Sequence, residues 1–239
     1  MPTALFVGAG SAIARAMMQN MQKQDPERKI IALSRQSPIL AEVANLNLTH
    51  HLTDYSTASL TAIAEELKGT DIDRLVCCVG TLHDDVVFPE KRLTEMTPET
   101  LQHYFSINTV IPAMVLKAFV PILDRKATGV LAFLSAQIGS IEDNRLGGWY
   151  GYRASKAALN MLIKTTSIEM KRTHKQYSLI AMHPGTTDSP LSEPFQARIS
   201  AERLYSPQLT AERLLKIIDQ VTPEETGQLY HWDGSVLPW

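Results

Sequence analysis

Short apolar runs alternate along the chain with longer segments in which apolar residues recur at helical spacing. Ile13, Met17 and Met21 recur at four-residue intervals and predict a helix after the first apolar run. Residues 59–69 also have a helical period, and Gly69 is expected to be the C-cap of that helix. The apolar runs predict strands at residues 4–7, 30–33, 75–79, 129–134, 179–182 and 228–232.

The longest helical pattern covers residues 97–123. Thr97 is the predicted N-cap and Pro98 takes the first helical position. Thr100 stands where a capping box usually has Glu or Gln. Pro112 is expected to bend or restart the helix, because proline has no N–H group to donate.

The order of these elements predicts the fold class. The strands are continuous apolar runs, so both faces of their sheet should be covered. Alternation of such strands with helices favours an α/β fold, a doubly wound (Rossmann) parallel sheet with helices on both faces, in a single domain over residues 1–239. Residues 184–208 are rich in Pro, Ser and Thr, and are expected to form a loop that covers a substrate.

Composition excludes several classes of protein. With 23 basic and 25 acidic residues, the chain has no basic field for nucleic acid. No stretch approaches the roughly 18–20 apolar residues of a membrane span, and the N-terminus lacks the basic region of a signal peptide. Cys77 and Cys78 are adjacent on a predicted strand, which disfavours a disulfide between them, and no metal-ligand spacing occurs. We therefore expect a reduced, cytoplasmic protein that holds no metal.

Two local motifs carry candidate chemistry. Gly8, Gly10 and Ser11 lie between the first strand and the first helix, where small residues let a phosphate approach the helix N-terminus. Tyr152 and Lys156 are four residues apart, so on a helix they share one face. A nearby ammonium group is expected to lower the pKa of the tyrosine phenol. Tyr150 is six residues from the lysine and would point elsewhere.

These motifs, in this order, resemble the short-chain dehydrogenase/reductase family over the whole chain. The stretches GSIEDN, GGWYGYRASKAALNM, HPGTTDSPLSEPFQ and DGSVLPW are similar to the C-factor-like subgroup of that family. In the family's Gly-x-x-x-Gly-x-Gly loop, Gly8 matches the first glycine, while Ala12 and Ala14 stand at the other two positions.

The resemblance implies roles for further residues. Tyr152 and Lys156 take the catalytic positions, and Asn108 matches an asparagine that helps hold a water-mediated proton relay. Gly80 is the residue retained from the family's Asn-Asn-Ala-Gly segment. The cofactor contacts implied in this way are Gly8, Gly10, Ser11, Ile13, Ser34, Arg35, Asp54, Gly80, Tyr152, Lys156, Pro184, Gly185, Thr186 and Thr187.

The family's catalytic serine has no direct equivalent in this chain. Its motif is Ser-Ser-x-x-Gly, and anchoring the segment SAQIG on Gly139 puts Ala136 at the catalytic position. Ser135 lies one residue early and is our candidate for the role. Ser140 and Gln137 are the alternative donors to a carbonyl oxygen.

The resemblance implies an oxidoreductase that transfers a hydride between a nicotinamide and a small carbonyl or alcohol substrate. Tyr152 would protonate the alkoxide, and Lys156 would lower the pKa of Tyr152 and hold the nicotinamide ribose. An alternative is a dinucleotide-binding regulatory or signalling protein with little turnover. An enoyl reductase is less compatible, because it would use a different spacing of tyrosine and lysine.

The second strand bears on the choice of cofactor. NAD-specific sites of this fold usually end that strand with an acid, whereas here it is followed by Ser34 and Arg35. An arginine pairs with the 2′-phosphate of NADP(H), so we predict NADP(H) in preference to NAD(H). Asp54 matches the family's position after its third strand, which none of the apolar runs above predicts, and the resemblance implies that it lies near the adenine ring. The helices that begin near Thr97 and Tyr150 have broad apolar faces, and the family resemblance implies that such helices pair across a two-fold axis, so we predict a homodimer or homotetramer.

Overall fold

A computed structural model describes residues 1–36 and 47–239 of the chain. Within these residues, eight strands form one sheet in the order β10-β9-β6-β5-β4-β1-β2-β3, and every pairing is parallel except that of β9 with β10. The strands of this sheet are β1 Thr3–Val7, β2 Lys29–Ser34, β3 Leu48–Leu52, β4 Ile72–Cys77, β5 Gly129–Leu134, β6 Tyr177–His183, β9 Leu229–His231 and β10 Val236–Leu237. Two short strands, β7 Thr186–Thr187 and β8 Leu204–Tyr205, pair outside it.

Helices cover both faces of the sheet, as predicted. The α-helices are α1 Ala12–Gln24, α2 Thr57–Glu66, α3 Pro98–Phe105, α4 Ile111–Phe119, α5 Tyr150–Thr173 and α6 Pro207–Gln220. Short 3-10 turns lie at Leu93–Glu95, Val120–Ile122, Gln137–Gly139, Glu193–Arg198, Ala201–Arg203 and Pro223–Glu225. One core cluster joins the sheet to α2, α4 and α5, and a second joins the opposite face to α1 and α6. The doubly wound, mostly parallel α/β fold is therefore confirmed.

The six apolar runs all coincide with strands of the sheet. Strand β3, Leu48–Leu52, falls in none of those runs, because it is an edge strand with the polar sequence LTHHL and mostly half-buried residues. Helix α2 ends at Glu66 with Leu67 as its C-cap, so the prediction of Gly69 as C-cap is wrong. Gly69 instead takes a positive φ of 80° in the turn that follows.

The predicted long helix is interrupted before Pro112. Thr97 caps α3, and its capping box is completed by the hydroxyl of Thr100, which accepts from the Thr97 N–H group. Between α3 and α4 the backbone forms a π-helical segment over Ser106–Val110. Pro112 has no N–H group to donate to the carbonyl of Asn108 four residues earlier, so regular α-helical bonding cannot continue there.

The helical run Pro98–Ile122 is long and apolar enough to cross a membrane by length and composition. The prediction that no stretch approaches this length is therefore wrong by composition, since polar residues such as Asn108 and Lys117 interrupt the run without lowering its mean hydropathy below that of a membrane span. Core helices pass the same test, and here Val115, Leu116 and Phe119 pack against the sheet while Asn108 is fully buried. The run is therefore weak evidence for a membrane span.

Cys77 and Cys78 are free thiols, as predicted.

Candidate active site

Several cavities open at the carboxyl ends of the parallel strands, where ligands bind in folds of this class, and two of them hold most of the predicted site residues in the described part of the chain. The large cavity has a volume of about 500 Å³ and extends past the ends of β1, β2 and β4. The predicted residues that line it are Gly8, Gly10, Ser11, Ser34, Arg35, Asp54 and Gly80. The structure thus brings together residues that lie far apart in the sequence, from Gly8 to Gly80.

The turn between β1 and α1 needs a glycine at its first position. Gly8 has a φ of 80°, and a Cβ atom there would lie 2.9 Å from the backbone carbon of Cys78. Ser11 caps α1, since its hydroxyl accepts from the Ala14 N–H group at 3.1 Å. No acidic residue lies in the first turn of α1, so its positive end is available to an anion in the large cavity.

The large cavity is basic on the side that lies near the end of β2. Arg35 is exposed and lines the cavity together with Arg15 of α1, a residue that the sequence analysis missed. The hydroxyl of Ser34 is engaged at 2.8 Å with both the His50 ring and the carbonyl of Gln36. Asp54 accepts from the Ser56 N–H group, and these hydrogen bonds lower the pKa of its carboxyl. Small residues, a helix N-terminus and two arginines fit a dinucleotide.

The second cavity, which we call the chamber, has a volume of about 220 Å³ and lies under the loop 184–208. Thr187 is held in place because its hydroxyl hydrogen-bonds the Thr210 hydroxyl on α6 at 2.8 Å. The predicted residues that line the chamber are Ile13, Ser135, Tyr152, Pro184, Gly185, Thr186 and Thr187. By contrast, Tyr150 is half-buried and lines neither cavity.

Tyr152 and Lys156 lie on the buried face of α5, one turn apart. The Lys156 Nζ atom is 6.0 Å from the centroid of the Tyr152 ring and donates a hydrogen bond to the carbonyl of Leu134 at 3.0 Å. Burial lowers the pKa of Lys156 to about 8 and raises the pKa of Tyr152 above its ordinary value. The expected lowering of the Tyr152 pKa is not found, because burial outweighs an ammonium group that points to Leu134. The phenol is therefore protonated at neutral pH.

Asn108 connects the π-helical segment to both the strand β4 loop and α5. Its Oδ1 atom accepts from the Thr81 N–H group at 2.8 Å, and its Nδ2 atom donates to the Thr81 carbonyl and to the Ser155 hydroxyl. A Cβ atom at Gly80 would lie 3.1 Å from Lys156 Nζ and 3.2 Å from Asn108 Oδ1. Gly80 therefore leaves room for the polar ends of both side chains beneath the large cavity.

The segment after β5 shows what replaces the usual serine pair. Ser135 lines the chamber but donates its hydroxyl to Asn160 Oδ1 on α5 at 2.6 Å. Ala136 packs in a small apolar cluster with Tyr152. Gln137 donates to the Asp143 carboxylate, and neither it nor Ser140 lines the chamber among the described residues. Of the three candidate donors, only Ser135 reaches the chamber wall.

Glu90 fixes the start of α5, and the sequence analysis missed this residue. The N-cap of α5 is Trp149, which has a left-handed backbone with φ of 53° and makes no side-chain cap. Glu90 is buried, its carboxylate accepts from the Gly151 N–H group at 3.1 Å, and its carbonyl accepts from the Trp149 N–H group. The Thr100 hydroxyl in the first turn of α3 is 3.5 Å from the same carboxylate. One buried acid thus serves the N-termini of two helices.

Comparison with known proteins places the chain among enzymes of one family. The family described as short chain dehydrogenase matches residues 2–199. The 1-hydroxy-2-glutathionyl-2-methyl-3-butene dehydrogenase of Rhodococcus sp. strain AD45 is 29% identical over 241 residues, which cover 100% of each chain. The C-signal protein of Myxococcus xanthus is 30% identical over 135 residues, which cover 56% of this chain and 76% of that relative.

A solved structure supports the same fold. The NADPH-bound carbonyl reductase from chicken fatty liver superposes with a TM-score of 0.84 at 23% sequence identity. The match covers 99% of this chain and 94% of that one.

Proposed function

Because the chain belongs to the short-chain dehydrogenase family of oxidoreductases, we propose that it transfers a hydride between NADP(H) and a small carbonyl or alcohol compound, with Tyr152 as the acid/base group. The observation that carries the proposal is the position of Tyr152. Its protonated phenol lines the chamber, one helical turn from the buried Lys156 and beside a cavity that fits a dinucleotide.

We assign parts of the cofactor to the two cavities from the residues that line them. Gly8, Gly10 and Ser11 would hold the pyrophosphate at the N-terminus of α1. Asp54 and Gly80 would lie along the adenosine half, while Ile13 and residues 184–187 would hold the nicotinamide end in the chamber. When bound, the nicotinamide supplies or accepts the hydride.

The protein's own part in the reaction is to hold and move a proton. Tyr152 donates its phenolic proton to the oxygen of a carbonyl substrate and takes it back in the reverse direction. Lys156 lines neither cavity and donates to the Leu134 carbonyl, so its ammonium group would have to turn to hold the nicotinamide ribose, and it would stabilise the phenolate while it exists. Asn108 organises the proton supply behind Lys156. Ser135 can reach the substrate oxygen only if its hydroxyl turns away from Asn160, so Tyr152 carries most of the polarisation.

The preference for NADP(H) rests on Arg35. Arg35 is exposed at the cavity wall, and β2 ends without an acid that would repel a 2′-phosphate. We predict that Arg35→Ala raises the Michaelis constant for NADPH by at least about tenfold, as expected for a charge-assisted hydrogen bond of 1.5–3 kcal/mol, and changes that for NADH little. Steady-state kinetics with both cofactors measures this. Equal or better use of NADH by the unmodified protein would overturn the preference.

Turnover distinguishes the proposed enzyme from the rival function, which is dinucleotide binding without turnover. If the protein is an enzyme, it should oxidise NADPH steadily when aldehydes and ketones are supplied, at a rate proportional to enzyme concentration. Tight binding of NADPH, seen by fluorescence, together with no oxidation across such a panel would favour the regulatory alternative.

A further inference from the structure

The wall of the chamber contains no charged side chain among the described residues that line it. Its titratable groups are Tyr152 and His183, and burial lowers the pKa of His183 to about 3, so both are neutral at pH 7. Transfer of an unpaired charge from water into such a wall is costly, so an ionised substrate group would have no partner there.

Several polar side chains around the chamber are engaged with other parts of the protein, whereas the buried Nδ1 atom of His183 has no hydrogen-bond partner among the described residues. Ser135 donates to Asn160, and Thr187 pairs with Thr210. Ser192 donates to the carbonyl of Thr187 at 2.6 Å within the loop itself. The apolar side chains remain as the surface that a substrate would meet, and the hydroxyl of Tyr152 is the polar group placed for a carbonyl oxygen.

One wall of the chamber is aromatic. Phe195 of the loop packs against Trp149, with ring centroids 5.1 Å apart, and against Phe88, with centroids 5.2 Å apart. His83 also contacts Phe195 and binds the carbonyl of Pro190, so the loop is fastened over the chamber by this cluster. Aromatic walls favour planar apolar ligands. The chamber volume of about 220 Å³ is below the roughly 300–1,000 Å³ of pockets for larger ligands, and because the nicotinamide end of the cofactor would share it, only a small substrate fits beside the cofactor.

We propose that the chamber takes a small, uncharged aldehyde or ketone whose carbonyl carries an aromatic group that packs against Trp149 and Phe195. This inference rests on the proposed oxidoreductase function and specifies its substrate class. It assigns Phe195 as a residue that determines specificity, because Phe195 belongs both to the chamber wall and to the cluster that fastens the loop.

The test compares substrates of similar shape. With NADPH, the kcat/KM of the enzyme should be at least about 100-fold lower for 4-carboxybenzaldehyde than for 4-nitrobenzaldehyde, whose nitro group has the shape of a carboxylate without its charge. Benzaldehyde should also be used better than propanal. Phe195→Ala should lower kcat/KM for benzaldehyde about tenfold and for propanal much less, because only the aromatic substrate loses a ring contact.

A gain-of-function variant tests the same point, and a second variant serves as its matched control. Leu191 lies at the chamber wall and is 40% exposed, so Leu191→Arg should raise kcat/KM for 4-carboxybenzaldehyde selectively. Leu93→Arg adds the same charge at an exposed leucine outside the chamber and should not. Equal use of the charged and uncharged aldehydes by the unmodified enzyme would overturn the substrate class alone. Turnover of none of these compounds would overturn the proposed function and the inference with it.

Discussion

Lys156 is a buried cation, and its environment makes the stability of the protein depend on pH. Burial lowers its pKa to about 8 in the folded protein, whereas an unfolded chain keeps the proton to about 10.5. Between these values the unfolded state binds more protons, so the free energy of unfolding rises with pH. Below pH 8 both states are protonated, and the folded state bears the full cost of burying an ammonium group.

Lys156→Met should therefore stabilise the protein at pH 7 although it damages activity. The pKa shift corresponds to a destabilisation of the folded protein by about 3 kcal/mol. Loss of the hydrogen bond to Leu134 in the variant would offset about 1 kcal/mol of the stability that the variant gains. Urea unfolding at pH 7 and pH 10 measures the difference between the variant and the unmodified protein. We expect the advantage of the variant to shrink as pH rises from 8 towards 10.5. A difference that stays constant would show that Lys156 does not titrate in that range.

The start of α5 depends on an acid that lies far away in sequence. Glu90→Ala should lower the free energy of unfolding by about 1–3 kcal/mol, because the buried Gly151 N–H group loses its acceptor. Turnover should fall too, since α5 carries Tyr152 and Lys156. Glu90→Gln keeps an acceptor oxygen and should lose less. Thermal unfolding and activity measure both effects.

Glu95 is the control for this prediction. Its carboxylate also accepts backbone N–H groups, at Lys91 and Arg92, but it caps an exposed 3-10 turn. Glu95→Ala should change stability and turnover only slightly. Equal losses from the two alanine variants would contradict the role of Glu90 at α5.

At the scale of elements, the strand positions, helix caps and helix interruptions that depend on local sequence patterns could be predicted from the sequence. The apolar runs locate their strands, and Ser11 and Thr97 cap helices as their residue types suggest. The interruption before Pro112 was also predictable, because it follows from the missing N–H group. The cap of α5 was not, since Trp149 offers no acceptor and Glu90 lies 61 residues before Gly151. The hydrogen bond from Ser135 to Asn160 likewise depends on tertiary packing.

At the scale of the whole molecule, apolar side chains remain exposed on the helices that carry the site. Val110 precedes α4 and is 50% exposed, while Met161 and Ile168 on α5 are 66% and 51% exposed. We predict that these helices pair across a two-fold axis in a dimer or tetramer. Sedimentation at micromolar concentration should show the oligomer, and Met161→Glu should dissociate it.

Leu52 provides the comparison for assembly. It is 61% exposed at the edge strand β3, away from α4 and α5 in the sheet order. Leu52→Glu should therefore leave the sedimenting mass unchanged. If the unmodified protein sediments as a monomer, the predicted assembly is rejected. The proposed site would remain, because residues of one chain line both cavities.

The central claim is that Tyr152, and not its neighbour Tyr150, provides the proton for reduction at the chamber. The most direct measurement is NADPH oxidation with an aldehyde by Tyr152→Phe and Tyr150→Phe, alongside NADPH binding by each variant. Tyr152→Phe should lose about 10²–10⁴-fold in turnover and bind NADPH nearly as well as the unmodified enzyme, because only the acid is lost. Tyr150→Phe should keep both properties. Loss of turnover in Tyr150→Phe, with turnover retained in Tyr152→Phe, would contradict the account.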